Sequence, residues 1–178
     1  MPYINIESTK KDFLWKWEDS SILNHLSEND SPKDIFEAVC DEISRYYKDQ
    51  DSFKTSKKKI RWTGTFLNCE MTFWSSHSNT AGKYVVFEIV STGYANDISG
   101  MEKKGMLYLG IRPKSFDIHD IDYELFKEII GYMDACADFF KSIDSYEGFE
   151  KLVNEHAFVF ADEVARENRR IFLEKTKM

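Results

Sequence analysis

The chain has 178 residues, of which 42% are hydrophobic, 31% charged and 15% aromatic. A chain of this length and composition buries a core without a disulfide or metal staple, and its aromatic content excludes a disordered protein. The three cysteines form no Cys-x-x-Cys pair, which excludes zinc-ribbon and thioredoxin-type motifs. We expect one domain over residues 1–178, with buried free thiols, in a reducing and therefore cytoplasmic compartment.

No stretch of the sequence predicts export or membrane insertion. The first residues lack the basic and then apolar pattern of a signal peptide. Charged side chains interrupt every apolar run, so we expect no transmembrane helix and no membrane partner.

Charge is distributed unevenly along the chain, although the total is −7. Residues 1–52 carry six basic and twelve acidic side chains, a balance of −6. Residues 53–116 carry ten basic and four acidic side chains, a balance of +6. Residues 117–178 carry eight basic and fifteen acidic side chains, a balance of −7. A basic centre between acidic flanks predicts oppositely charged elements packed together, or separate surfaces for charged partners.

The N-terminal part predicts an extended arm followed by helices. Residues 3–17 alternate in part between apolar and polar side chains, which favours an edge strand or an arm lying on the domain. A short helix is predicted over about residues 20–26. The next helix is better marked, because Ser31 is a favourable N-cap and Pro32 suits the first helical position. Its apolar stripe predicts about five turns that end near Asp49.

The middle of the chain predicts a sheet. Side chains with a period of two indicate four strands, at residues 60–67, 70–74, 83–95 and 106–112. The first turn is placed at Leu67 and Asn68, and Pro113 ends the fourth strand. Short connections of this kind join antiparallel neighbours. We expect an α+β fold, with an antiparallel meander of about four strands packed against helices from both termini.

After Pro113 the period returns to that of helices. Asp120 or Asp122 is predicted to start a long helix with a regular apolar stripe: Leu125, Ile129, Met133, Cys136, Phe140 and Ile143. Ser145 caps a shorter helix, and a last helix is predicted over about residues 158–174.

A cluster of cations lies where the first predicted strand begins. Lys54, Lys57, Lys58, Lys59 and Arg61 occur within eight residues, next to Trp62. Cations and aromatic rings on one sheet face are typical of single-strand nucleic-acid binding. The acidic total charge and the absence of an RNP-type aromatic pattern argue against nucleic acid. A solvated turn, or lysines that protect an edge strand from aggregation, explains the cluster equally simply.

A turn rich in hydroxyl groups suggests an alternative function. Residues 74–79 read Trp-Ser-Ser-His-Ser-Asn, and the side chains there suit a phosphate or a general base. The alternative is a small enzyme or binder of a phosphorylated or nucleotide-like ligand at the sheet face, with these ligand-binding residues: Lys59, Arg61, Trp62, Trp74, His77 and Asn79. This hypothesis requires the six side chains to converge in one pocket, with Arg61 and His77 on the same side of the sheet.

We find no motif for catalysis, a cofactor or a metal. Asp117-Ile118-His119-Asp120 contains a His-Asp pair, but no second histidine lies at the helical spacing that a zinc site needs. Asp117 and Asp120 are better explained as helix caps. Glycine-rich phosphate loops and the Gly-x-Ser-x-Gly elbow are absent from the sequence.

The acidic helices give the main functional hypothesis. Acidic side chains follow the long C-terminal stripe, and we predict partner binding by five of them: Glu128, Asp134, Asp138, Asp144 and Glu147. Such a surface speeds association with a basic partner, although a solvated helix face has the same composition. We therefore expect a small acidic binding module that engages a protein with a basic surface. Its sharpest form is an immunity or inhibitor protein that neutralises a basic toxin or defence factor.

Overall fold

A computed structural model of the protein describes residues 3–7, 13–16, 31–50, 52–64, 66–77, 85–95 and 108–155. The helices predicted at residues 20–26 and 158–174 lie outside the described residues, as do residues 78 and 79 of the hydroxyl-rich turn. Residues 75–77, predicted as part of that turn, belong instead to a strand. The described elements are, in chain order, α1 (Pro32–Tyr47), β1 (Phe53–Ser56), β2 (Lys59–Thr63), β3 (Leu67–His77), β4 (Val85–Ala95), β5 (Tyr108–Gly110), β6 (Lys114–Asp117), α2 (Tyr123–Lys141) and α3 (Tyr146–Glu155).

The strands form one antiparallel sheet in the order β1-β2-β3-β4, and β4 then pairs with β5 at one end and with β6 at the other. The α+β class and the antiparallel meander are confirmed, with six strands instead of about four. The first turn does not lie at Leu67 and Asn68, because both residues pair within β3. The amide of Gly64 donates instead to the Leu67 carbonyl, which closes the turn two residues earlier.

Local capping signals position the two long helices. The Ser31 hydroxyl accepts a hydrogen bond from the Asp34 amide at 3.2 Å, and the Asp122 carboxylate accepts one from the Leu125 amide at 2.7 Å. Asp122, and not Asp120, is therefore the N-cap of α2. These bonds satisfy amide donors that have no partner within a helix. No helix in the described part of the chain has the length and apolar character needed to cross a membrane.

The helices α1 and α2 pack on one face of the sheet. Phe36 of α1 lies 5.4 Å from Phe87 of β4, measured between ring centres, and Phe87 lies 5.1 Å from Phe73 of β3. Alternate strand residues point into this core, including Ile60, Trp62, Cys69, Met71, Phe73, Val85, Phe87 and Ile89. Alternation then leaves the intervening side chains on the opposite face.

The closest approach of α2 to the sheet occurs at Gly93. A Cβ atom added there would lie 2.3 Å from Cε1 of Phe140, which is fully buried in the last turns of α2. Carbon atoms in ordinary contact are about 3.5–4.0 Å apart. Glycine at this position of β4 therefore permits the aromatic ring to lie directly against the strand.

Residues 13–16 lie against α1 and α2. The Trp15 indole donates to the Glu42 carboxylate at 2.7 Å, and the Arg45 guanidinium binds the same carboxylate. Glu42 is buried, with 2% of its surface exposed. The Arg45 guanidinium also stacks over the Trp15 ring, 4.6 Å from its centre. The backbone amide of Trp15 donates to the Tyr123 hydroxyl at 2.9 Å. Paired hydrogen bonds of this kind compensate for burying the Glu42 charge.

Candidate interaction surfaces

The face of the sheet that α1 and α2 leave uncovered is here called the open face. Every second residue of each strand points to it. Its described members include Lys54, Ser56, Lys59, Arg61, Thr63, Asn68, Glu70, Thr72, Trp74, Val86, Glu88, Val90, Thr92, Tyr94, Ser115 and Asp117. The face therefore combines charged, hydroxyl and apolar side chains, as protein surfaces used for recognition do.

The cations of the open face lie at its β1–β2 corner. Glu70 is 2.9 Å from the Arg61 guanidinium and 3.1 Å from the Lys59 ammonium group. Burial alone would raise the pKa of Glu70, but the hydrogen bonds from Arg61 and Lys59 outweigh it and hold that pKa below its usual value. Lys54 is opposite Arg61 on β1. Three cations and one carboxylate leave this corner positive.

The carboxylates of the open face lie at the diagonally opposite corner. Glu88 of β4 is opposite Trp74 and accepts a hydrogen bond from Ser115 at 3.4 Å. Asp117 of β6 is opposite Val86, is exposed, and accepts a hydrogen bond from the His119 amide at 3.0 Å. This corner carries two carboxylates and no cation among the described members of the face, so it is negative.

Trp74 lies between the two charged corners. Its side chain is 60% exposed, whereas Phe73 of β3 and Phe87 of β4 are buried. Thr72 and Val90 are opposite each other next to it. An exposed tryptophan surrounded by polar side chains is characteristic of the residues that anchor protein interfaces.

The six predicted ligand-binding residues do not share one face. Lys59, Arg61 and Trp74 lie together on the open face, but Trp62 is 7% exposed in the core, beneath the Lys141 ammonium group. Arg61 is opposite Glu70 of the open face, and the backbone of His77 pairs with Val85 at the end of β3. Asn79 lies outside the described residues.

Because Trp62 lies in the core while Lys59, Arg61 and Trp74 lie on the open face, these side chains do not converge in one pocket. Adjacent residues of a strand point to opposite faces, so the proximity of Arg61 and Trp62 in sequence was already a signal against a shared pocket. The register also adds residues that the sequence prediction omitted, namely Glu88, Tyr94 and Asp117.

The predicted acidic surface is largely exposed. We call the exposed carboxylates Glu128, Asp138, Asp144 and Glu147 the acidic row; it runs along α2 and into the first turn of α3. Asp138 lies 3.7 Å from Lys141, the only ion pair of the row within the described residues. Asp134 is half-buried and accepts a hydrogen bond from the Tyr47 hydroxyl at 2.9 Å, so it joins α1 to α2.

The two lysines of α2 lie over aromatic rings. The Lys127 ammonium group is 4.8 Å from the centre of the Tyr123 ring, and that of Lys141 is 5.3 Å from the centre of the Trp62 ring. Contacts of this type draw a cation toward the protein. On α2 the exposed carboxylates of Glu124, Glu128 and Asp138 outnumber the one exposed ammonium group, that of Lys141.

The three cysteine thiols are buried and protonated. Burial raises the pKa of Cys40 to about 12 and that of Cys136 to about 11, and it also raises the pKa of Cys69. A thiol of this kind is not activated for catalysis. In the part of the chain that the structure describes, no three or more histidine, cysteine or acidic side chains form a group that could hold a metal ion.

Comparisons with known proteins give no further information on function: no protein-family model matches the chain, and it has no significant match to a curated protein or to a solved structure.

Proposed function

We propose that this protein is a small, non-enzymatic, cytoplasmic binding module that engages a basic protein partner through its acidic row. An inhibitor or immunity protein that neutralises a basic toxin or defence factor is the most specific form of the proposal. The observation that carries it is the exposure of Glu128, Asp138, Asp144 and Glu147, combined with the position of the two α2 lysines over aromatic rings.

The geometry of the acidic row supports recognition of an extended basic surface. Glu128 and Asp138 are ten residues apart on α2, which separates them by about 15 Å along the helix axis. Asp144 and Glu147 continue the row beyond the end of α2. Carboxylates distributed over such a length attract a basic partner from a distance and disfavour acidic competitors.

The compartment in the proposal rests on cysteine usage. Cys40, Cys69 and Cys136 are all free and buried. Free cysteines persist in reducing compartments, whereas oxidising ones favour disulfides.

Reversal of charges on the row tests the proposal. The full chain and its Glu128→Lys/Asp144→Lys variant are used as baits in lysate of the native host. A matched control, Asp41→Lys/Asp49→Lys, changes the net charge equally at two exposed positions of the α1 region. We expect the wild type and the control to retain one basic protein in stoichiometric amount, and the row variant to lose at least about 90% of it at physiological salt.

Two results would contradict the proposal. One is a row variant that retains the same partner as well as the wild type does. The other is a captured partner whose binding is lost equally in the Asp41→Lys/Asp49→Lys control, because the effect would then follow from total charge and not from the acidic row.

A further inference from the structure

The charges of the open face are arranged so that the face complements itself. Its positive corner contains Lys54, Lys59 and Arg61, and its negative corner contains Glu88 and Asp117. The line that joins the two corners passes close to Trp74, Thr72 and Val90, which lie near the middle of the sheet.

A two-fold axis in the plane of the face, perpendicular to that line, would exchange the two corners. In a pair of molecules related by this axis, Arg61 of each copy meets Glu88 of the other, and Trp74 lies near the axis. Interfaces between identical chains are commonly of this two-fold type, in which one patch complements itself. The strands of the two sheets would then cross at roughly 90°, which is one of the two usual arrangements of packed sheets.

The size of the face is sufficient for such an interface. The strands β1 to β6 contain 4, 5, 11, 11, 3 and 4 residues. With about 3.3 Å per residue and about 4.8 Å between strands, they present roughly 600 Å² on each copy. Two copies would bury roughly 1,200 Å², the lower limit of stable and specific protein interfaces.

We propose that the open face is the interface of a homodimer, in which two sheets pack face to face with Trp74 at the centre and Arg61 paired with Glu88 of the second copy. The exposure of Trp74 is then explained, because a second molecule covers it. Because α1 and α2 lie on the other side of the sheet, the acidic rows of both copies remain exposed on opposite sides of the dimer.

A charge exchange between the two corners tests the geometry. The full-length wild type is examined by sedimentation equilibrium over about 1 to 100 µM protein, a range suited to dimers of this modest area. We expect a monomer–dimer equilibrium. Arg61→Glu and Glu88→Arg should each weaken it at least about tenfold, because like charges then face each other across the interface. Trp74→Ala should weaken it by a similar factor.

The double variant Arg61→Glu/Glu88→Arg should restore the dimer to within about threefold of the wild type, because its charges are again opposite across the interface. Arg61 and Glu88 are two strands and four residues apart within one sheet, about 16 Å, so a rescue cannot come from a contact inside one molecule. Lys48→Glu, on an exposed residue after α1, is the control and should leave the equilibrium unchanged.

Three outcomes would overturn the inference. The first is a wild type that remains monomeric over the whole range, as it would if another molecule were the natural occupant of the face. The second is a dimer that is insensitive to Trp74→Ala and to both charge reversals. The third is a double variant that dimerises no better than the single variants. Circular dichroism of every variant distinguishes loss of dimer from loss of folding.

Discussion

Replacement of Gly93 by alanine tests how closely α2 approaches the sheet. Alanine in place of glycine within a strand ordinarily stabilises a protein by roughly 0.5–1 kcal/mol, because glycine loses more conformational freedom on folding. At Gly93 the new Cβ would lie 2.3 Å from Cε1 and 2.4 Å from Cδ1 of Phe140. These distances are shorter by about 1 Å or more than the usual contact distance between carbon atoms, about 3.5 Å.

The ring of Phe140 cannot move without disturbing its neighbours, since the side chain is fully buried in the core. Overpacking of this kind costs about 1–3 kcal/mol. We expect Gly93→Ala to lower the free energy of unfolding by about 2 kcal/mol, as measured by urea denaturation followed by tryptophan fluorescence. Gly148→Ala is the matched control, because its Cβ would approach only the Ser145 hydroxyl of an exposed residue, at 3.3 Å.

A second substitution distinguishes the clash from a general effect on the strand. Phe140→Leu alone should cost about 1–2 kcal/mol through lost core contacts. The double variant Gly93→Ala/Phe140→Leu should lose at least about 1 kcal/mol less unfolding free energy than the sum of the two single losses. The reason is that leucine leaves free part of the space that the new Cβ needs. A Gly93→Ala variant as stable as the wild type, or costs that add fully, would refute the reasoning.

Two further predictions concern buried polar groups. Arg45→Met should lower the free energy of unfolding by about 2 kcal/mol, since it leaves the buried Glu42 carboxylate with only the Trp15 indole as a described partner; an unchanged urea midpoint would contradict this. In the native protein at pH 8, Cys40, Cys69 and Cys136 should not react with a thiol reagent, because their raised pKa values lower the thiolate fraction. All three should react in denaturant. A fast reaction in the native protein would contradict their burial.

The helices and the central strands could be predicted because their signals are local. Ser31 and Pro32 mark the start of α1, and the caps and apolar stripes place α1 and α2 without knowledge of the tertiary structure. The strands β3 and β4 alternate over many residues, with one face in the core. Period and burial agree in these elements, so the sequence locates them, although β3 extends at both ends beyond the predicted residues 70–74.

The edge strands could not be predicted from the same signals. β1 has no buried side chain, and β6 has one, at Phe116. Pro113 predicts the end of the fourth strand, but the chain resumes pairing directly after it, at Lys114 opposite Ile89. Proline is tolerated at such an edge because an edge strand needs hydrogen bonds on one side only.

The arrangement of the candidate surfaces depended on register. The alternation of side chains along a strand places Arg61 and Trp62 on opposite faces of the sheet. It does not determine which residue of β3 is opposite Arg61. That information follows from the turn at Gly64, whose position the sequence prediction misplaced. The two charged corners of the open face are therefore defined by the strand register and not by the order of residues along the chain.

The pairing of Ile4 with Ile111 has a consequence for how the protein folds. Ile4 donates to the Gly110 carbonyl at 3.0 Å and accepts from the Arg112 amide at 2.8 Å, in the gap between β5 and β6. During synthesis, Ile4 emerges from the ribosome more than a hundred residues before these partners exist. Closing so long a loop costs conformational entropy and is slow. We therefore expect the pairing of Ile4 with Ile111 to form last, after the β3–β4 hairpin.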